Sequence, residues 1–242
     1  MPERSTGEAP QLRQHHFDIA ATAAEALALA IARQLNQAIA ARGVASLLVS
    51  GGRSPIPLFA ALREQPVDWQ RVWLTLADER WVDPAAPDSN ERLLREHLLV
   101  GLAAAARFVP LKSPQAHPAL ALAERSQQLQ QMPRPFDVVV LGMGDDGHTA
   151  SLFPGTDGLA AALDPQGVAP LAAMTPPTAA HPRISHTLAS LLDARQIYLL
   201  LQGAAKRARL LQALAGASPL QLPIAAVLTQ SLVPVDVYWS DT

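Results

Sequence analysis

The sequence has 242 residues, 49% of them hydrophobic and 17% charged, and contains no cysteine; 19 Lys and Arg against 21 Asp and Glu leave a formal charge of −2. These values exclude a disulfide scaffold, a thiolate nucleophile, an intrinsically disordered chain and the clustered basic excess of a nucleic-acid or membrane-surface protein. The opening Met1-Pro2-Glu3-Arg4 lacks a basic stretch leading into an apolar run, and no apolar run is long enough for a transmembrane helix, so the expectation is a cytoplasmic protein with no membrane partner.

After about fifteen polar residues expected to be mobile, Thr22 to Ala41 carries Leu27, Ile31, Leu35 and Ile39 at helical spacing. Thr22 and Glu25 suggest a capping box there, and Gly43 a stop. Ser46–Ser50 predicts a buried strand entering a Gly51-Gly52 turn, and Pro55 opens a helix through Leu62. Val72–Ala77 is a second strand, ending in Asp78-Glu79-Arg80. A Pro-rich loop follows, and Asp88 or Ser89 starts a helix to about Leu99, with Asp88 and Glu91 read as capping residues. Leu120–Gln131 is helical, and Phe136–Leu141, a Val and Leu run between Pro135 and Gly142, is the strongest strand signal. Val168–Met174, Ile197–Leu201 and Val235–Trp239 predict further strands, and Leu188–Leu192 and Ala204–Ala215 helices. Strands alternating with helices predict a three-layer α/β fold, a mostly parallel sheet covered on both faces, in one domain spanning residues 1–242.

In such folds chemistry belongs to the loops beyond the carboxyl ends of the strands. After the strongest strand, Gly142, Gly144 and Gly147 match GxGxxG, but Asp145 and Asp146 would set two carboxylates beside a pyrophosphate, and Pro154-Gly155 interrupts the helix that a dinucleotide site needs. What remains is a glycine-permitted turn exposing carboxylates and the His148 imidazole, groups suited to proton transfer near neutral pH. Ser50-Gly51-Gly52-Arg53-Ser54 offers two glycines, two hydroxyls and a cation ahead of a helix, which suits a phosphate. Arg80 follows the second strand. Lys206, one of only two lysines in the chain, stands in a first helical turn, where the helix dipole disfavours a cation unless an anion is near. The seven histidines show no HxH or HExxH spacing, so no metal site is expected; His15 and His16 are read as part of the polar N-terminal segment, His181 and His186 as loop or helix-start surface.

Taken together these loops resemble the bacterial 6-phosphogluconolactonase family from about Leu47 onward. The resemblance is carried by Leu48–Gly52, by Asp78-Glu79-Arg80-Trp81-Val82 with Asp88-Ser89-Asn90, by Phe136 to Pro154 (FDVVVLGMGDDGHTASLFP), by Pro182–Ser185 with Thr187, by Gly203–Lys206 and by Trp239-Ser240-Asp241. Glucosamine-6-phosphate deaminases differ at these segments, reading more like GIGxDGHIAFNEP, with DEY at the acidic cluster. Arg53-Ser54-Pro55 departs from the family's usual Ser-Thr-Pro, and Ser185-His186 from its Thr-Leu.

The resemblance implies a Rossmann-like, sugar-phosphate isomerase-like fold and hydrolysis of 6-phospho-D-glucono-1,5-lactone to 6-phosphogluconate in the oxidative pentose phosphate pathway, with neither metal nor organic cofactor. The partner it implies is a small phosphorylated sugar lactone, not nucleic acid, acted on by a monomer or weak homo-oligomer. His148 is then the general base, oriented by Asp146 or alternatively Asp145. Arg80 serves the oxyanion or the phosphate, and Ser50, Gly51, Gly52, Arg53, Arg183 and Lys206 are the phosphate candidates. Two alternatives stand beside this reading: isomerase or deaminase chemistry with Asp78 as base, and a non-enzymatic sugar-phosphate sensor.

Overall fold

The computed structural model describes residues 12–242, so the first eleven residues of the segment expected to be mobile lie outside the described residues. The elements in chain order are β1 (Leu12–Phe17), α1 (Ala20–Arg42), β2 (Ala45–Val49), α2 (Ile56–Arg63), β3 (Val72–Leu76), β4 (Asp78–Arg80), α3 (Asn90–His97), β5 (Arg107–Val109) and α4 (Pro118–Leu129). The second half contributes β6 (Val138–Leu141), α5 (Leu159–Ala162), β7 (Leu171–Met174), β8 (Arg183–His186), α6 (Leu188–Leu192), β9 (Ile197–Gln202), α7 (Ala204–Leu214), α8 (Ile224–Leu228) and β10 (Val235–Ser240).

Seven strands form one parallel sheet in the order β1-β10-β9-β6-β2-β3-β5, with helices on both faces. Its centre is buried throughout: every residue of β2 and β6 is buried, and all but Ser46 are apolar, as the Leu and Val runs require of strands covered on both sides. On α1, Leu27, Ile31 and Leu35 have no exposure, and burial of each contributes about 2 kcal/mol. The helix ends where Gly43, at φ +78, donates its N–H to the Ile39 carbonyl, a left-handed stop that glycine adopts without Cβ strain. The capping box does not form. Thr22 instead donates to the Ile19 carbonyl at 2.9 Å, because the helix already begins at Ala20, whose N–H is held by the Thr242 carbonyl at 2.7 Å.

The N-terminal segment differs from expectation. Leu12 to Phe17 is an edge strand in register with Val235 to Ser240, and His15 and His16 stack on Tyr238 and Trp239 at 4.5 and 3.9 Å. A second, antiparallel sheet, β4-β8-β7, was also not foreseen. The strand expected from Val168 begins only at Leu171 and belongs to this small sheet; Val168 itself is 99% exposed. His186, read as surface, is fully buried in β8, with Nδ1 2.8 Å from Ser190 Oγ and its ring edge-on to Phe136. Burial, with Arg134 nearby, pushes its pKa down to about 3. The small sheet matters because it places β4 and β8 over the carboxyl-end side of the main sheet's central strands, against the loops that follow them.

Candidate active site

A cavity of about 190 Å³ opens beyond the ends of β2 and β6. Ser50, Gly51 and Gly52 line it from the loop after β2, Gly142 to Gly144 and His148 from the loop after β6, Asp78 and Arg80 from β4, Arg183 from β8, and Lys206 from α7. The cavity thus collects every predicted binding residue but one. Arg53 is exposed and absent from the wall, because Gly52, at φ +92, turns the chain there and it is Ser54 and Pro55 that return to the cavity.

Of the two carboxylates offered by the sequence, Asp146 is the one on the imidazole. Its Oδ1 accepts from His148 Nδ1 at 2.6 Å and from the His148 backbone N–H at 3.1 Å. Asp145 is exposed, and only its carbonyl is engaged, by Arg209 Nε at 2.9 Å. Burial raises the Asp146 carboxyl, but the bonds and charge of His148 outweigh it and hold the group below its ordinary value. With Nδ1 carrying its proton toward a carboxylate, Nε2 keeps the lone pair. Phe153 stacks on the imidazole at 3.8 Å between centroids, fixing the ring plane. Gly144 is required beneath it: a Cβ there would lie 2.1 Å from His148 Nδ1 and Cε1.

Asp78 and Glu79 are buried and Arg80 is half-buried, so the cluster is not a solvated strand end. Glu79, 1% exposed, accepts the backbone N–H groups of Arg80, Asn90 and Glu91 at 2.7 to 2.8 Å and the Ser89 hydroxyl at 3.1 Å. It therefore caps α3 from outside the helix, together with Ser89, whose hydroxyl accepts from Arg92 N–H. Burial pushes the Glu79 carboxyl up against those three N–H bonds. Neither Asp88 nor Glu91 caps: Asp88 pairs with His181 at 3.1 Å and Glu91 with Arg95 at 2.9 Å. Asp78 Oδ2 accepts the Ser151 hydroxyl at 2.5 Å and stands 3.7 Å from Arg183 Nη1.

Arg80 and Arg183 are directly paired across β4 and β8, an arrangement that costs energy for two like charges unless an anion lies between them. Arg80 Nη1 donates to the Asp88 carbonyl at 2.7 Å and Arg183 lies over the Phe153 ring at 5.1 Å. The Nε of each is buried without a hydrogen-bond partner, as are Ser50 Oγ and Asn90 Oδ1 on the same cavity wall. Each orphaned group costs roughly 1–3 kcal/mol, so four in one cavity mark a place where a polar ligand recovers the loss. Asn90, Ser151 and Phe153 lie in segments that carry the family resemblance, but no site role is read for them from the sequence. The available signal for Ser151 and Phe153 was their position directly after the His148 turn.

Among the described residues, one His and Asp group could reach a common cation: His16, Asp18 and Asp241, all exposed and none of them in the cavity. No helix among the described residues is long and apolar enough to cross a membrane.

Fold and site together define the class: a parallel α/β protein with an arginine-lined pocket and a carboxylate-paired histidine beyond its strand ends. The chain belongs to the family described as glucosamine-6-phosphate isomerases/6-phosphogluconolactonase, whose model matches residues 18–239. It is 45% identical over 220 residues to a 6-phosphogluconolactonase of Pseudomonas aeruginosa, covering 91% of each chain. The crystal structure of a 6-phosphogluconolactonase from Shewanella baltica superposes with a TM-score of 0.92 at 46% identity, covering 97% of this chain and 100% of that one. A monomeric glucosamine-6-phosphate deaminase, 15% identical over 93% of this chain and 96% of its own, shares the fold with a TM-score of 0.76.

Proposed function

We propose that this chain is a 6-phosphogluconolactonase of the oxidative pentose phosphate pathway and that His148 is its general base. The observation that carries the reading is the 2.6 Å bond between His148 Nδ1 and Asp146 at the wall of a cavity that also holds Arg80, Arg183 and Lys206; the lactonases among its relatives support the substrate. Water attacks C1 of the lactone while Nε2 takes its proton, and Asp146 stabilises the resulting imidazolium. The tetrahedral oxyanion is balanced by a guanidinium, after which the bond from C1 to the ring oxygen breaks and the imidazolium returns its proton to that oxygen. Arg80, Arg183, Lys206 and the Ser50-Gly51-Gly52 turn supply the charge and donors for the phosphate and oxyanion. A positioned base contributes typically 10²- to 10⁴-fold, enough for an ester as reactive as a δ-lactone.

The isomerase alternative needs Asp78 as a free base, whereas its Oδ2 already receives the Ser151 hydroxyl at 2.5 Å. The sensor alternative leaves the Asp146–His148 pair without a purpose. The test is hydrolysis of lactone generated in situ, with spontaneous hydrolysis subtracted, for the wild type and a folded His148→Ala variant. A loss of about 100-fold or more is expected; a variant as fast as wild type overturns the base assignment, and a wild type no faster than background overturns the lactonase reading.

A further inference from the structure

Asn90 opens α3 with a side chain whose two ends face different partners. Nδ2 donates to the Asp78 carbonyl at 2.9 Å and lies 3.5 Å from Asp78 Oδ1. Both partners are acceptors, so the amide has one sensible orientation, and turning it over would set oxygen against oxygen. Oδ1 is thereby directed to the Gly51 side, where a Cβ on that glycine would lie 2.1 Å from it; Asn90 and Gly51 both line the cavity. Asn90 is 2% exposed, and Oδ1 is buried without a partner.

An amide oxygen only accepts. A phosphate dianion and a carboxylate are acceptors too and cannot satisfy it; a hydroxyl can. We propose that Asn90 Oδ1 accepts a hydrogen bond from a ring hydroxyl of the phosphorylated lactone, which makes Asn90 a specificity-determining residue for the sugar rather than for its phosphate. The inference rests on the lactonase reading. Gly51 takes part by lacking a side chain, since any Cβ there would displace the amide. A site built around a substrate hydroxyl discriminates strongly against the analogue that lacks it, because its own acceptor is then left buried and unpaired.

The test compares kcat/KM for the lactone and for three analogues, each lacking the hydroxyl at C2, C3 or C4 and generated in situ from the corresponding deoxy sugar phosphates. Wild type is expected to lose about 10- to 100-fold on one of the three. Asn90→Ala should lose a similar factor on the parent lactone and be indifferent to removal of that hydroxyl. Asn90→Ala that slows all four equally, with the wild-type discrimination intact, overturns the proposal. Should Asn90→Ala fail to fold, the wild-type series decides: no analogue losing more than about threefold overturns it. A wild type without lactonase activity counts against the proposed function alone, and calorimetric binding of 6-phosphogluconate against its three deoxy counterparts then decides the role of Asn90 by the same one-in-three pattern.

Discussion

Gly144→Ala separates the position of the imidazole from the stability of the fold. The backbone at Gly144 is not in the left-handed region, so alanine is conformationally acceptable and the whole effect comes from contact. An ideal Cβ would sit 2.1 Å from Nδ1 and Cε1 of His148 and 2.8 Å from Asp146 Oδ1, where ordinary contact begins at 3.4 Å. The ring must therefore retreat by about 1.3 Å, which breaks a 2.6 Å bond to Asp146 and disturbs the stacking on Phe153. Misplacing a catalytic group by about 1 Å costs on the order of 10²-fold, so kcat should fall about 100-fold, with a melting temperature within a few degrees of wild type. Gly147→Ala, in the same turn, should behave in the opposite way. Its φ of +81 and the Leu222 side chain 2.4 Å from an added Cβ put the cost into stability, about 1–2 kcal/mol, with a smaller effect on the chemical step. Both variants are to be assayed on lactone formed in situ and melted by circular dichroism. A folded Gly144→Ala enzyme within twofold of wild type would refute the argument that the ring works where it stands.

Asp146→Asn keeps the shape of the partner to His148 but removes the charge that balances the imidazolium, so kcat should fall about 100-fold or more while KM changes little; an unchanged kcat would show that the carboxylate only shapes the turn. His186, with a folded pKa of about 3 against an ordinary 6.5, binds a proton in the unfolded chain before it does so in the native one. Stability is therefore intact above pH 6.5 and falls with pH between 6.5 and 3, by about 2 kcal/mol at pH 5 from this residue alone. Urea denaturation at pH 7 and pH 5 should show that decrement in wild type and its loss in His186→Leu; an equal drop in both would contradict the assignment.

The central sheet was legible because its strands are continuous apolar runs: Ala45–Val49 and Val138–Leu141 fall within a residue or two of the predicted segments. The elements that escaped are those whose residues look polar in isolation. Strand β1 reads LRQHHF, and its strand partner among the described residues, β10, lies more than 200 residues away. Strand β8 reads RISH, three of its four side chains polar, yet Ser185 and His186 are wholly buried because β8 lies between β4 and β7. The Asp146–His148 pair was legible because both partners lie in one short turn whose glycines permit it. Asn90 was not, since its place on the cavity wall depends on Glu79 capping α3 and on Gly51 making room, contacts between separate segments that no local pattern reports. Arg53 differs in the other direction: the loop's residue types place a cation beside a phosphate, whereas the turn at Gly52 leaves it exposed and off the cavity wall.

The parallel pairing of β1 with β10 bears on how the protein is made. Arg13 meets Asp236 across a sequence separation of 223 residues, and Ala20 is held by Thr242. During synthesis, then, β1 has to wait, unpaired, until the more than 200 residues that separate it from β10 have followed it. Contacts of such range form slowly, and the edge of β10 stays open to other strands meanwhile. The side chains of β1 suit that interval: Arg13, His15 and His16 are poor material for aggregation. Closure of this seam, rather than formation of the central strands whose loops line the cavity, is the step we expect to be slow in the birth of the native enzyme.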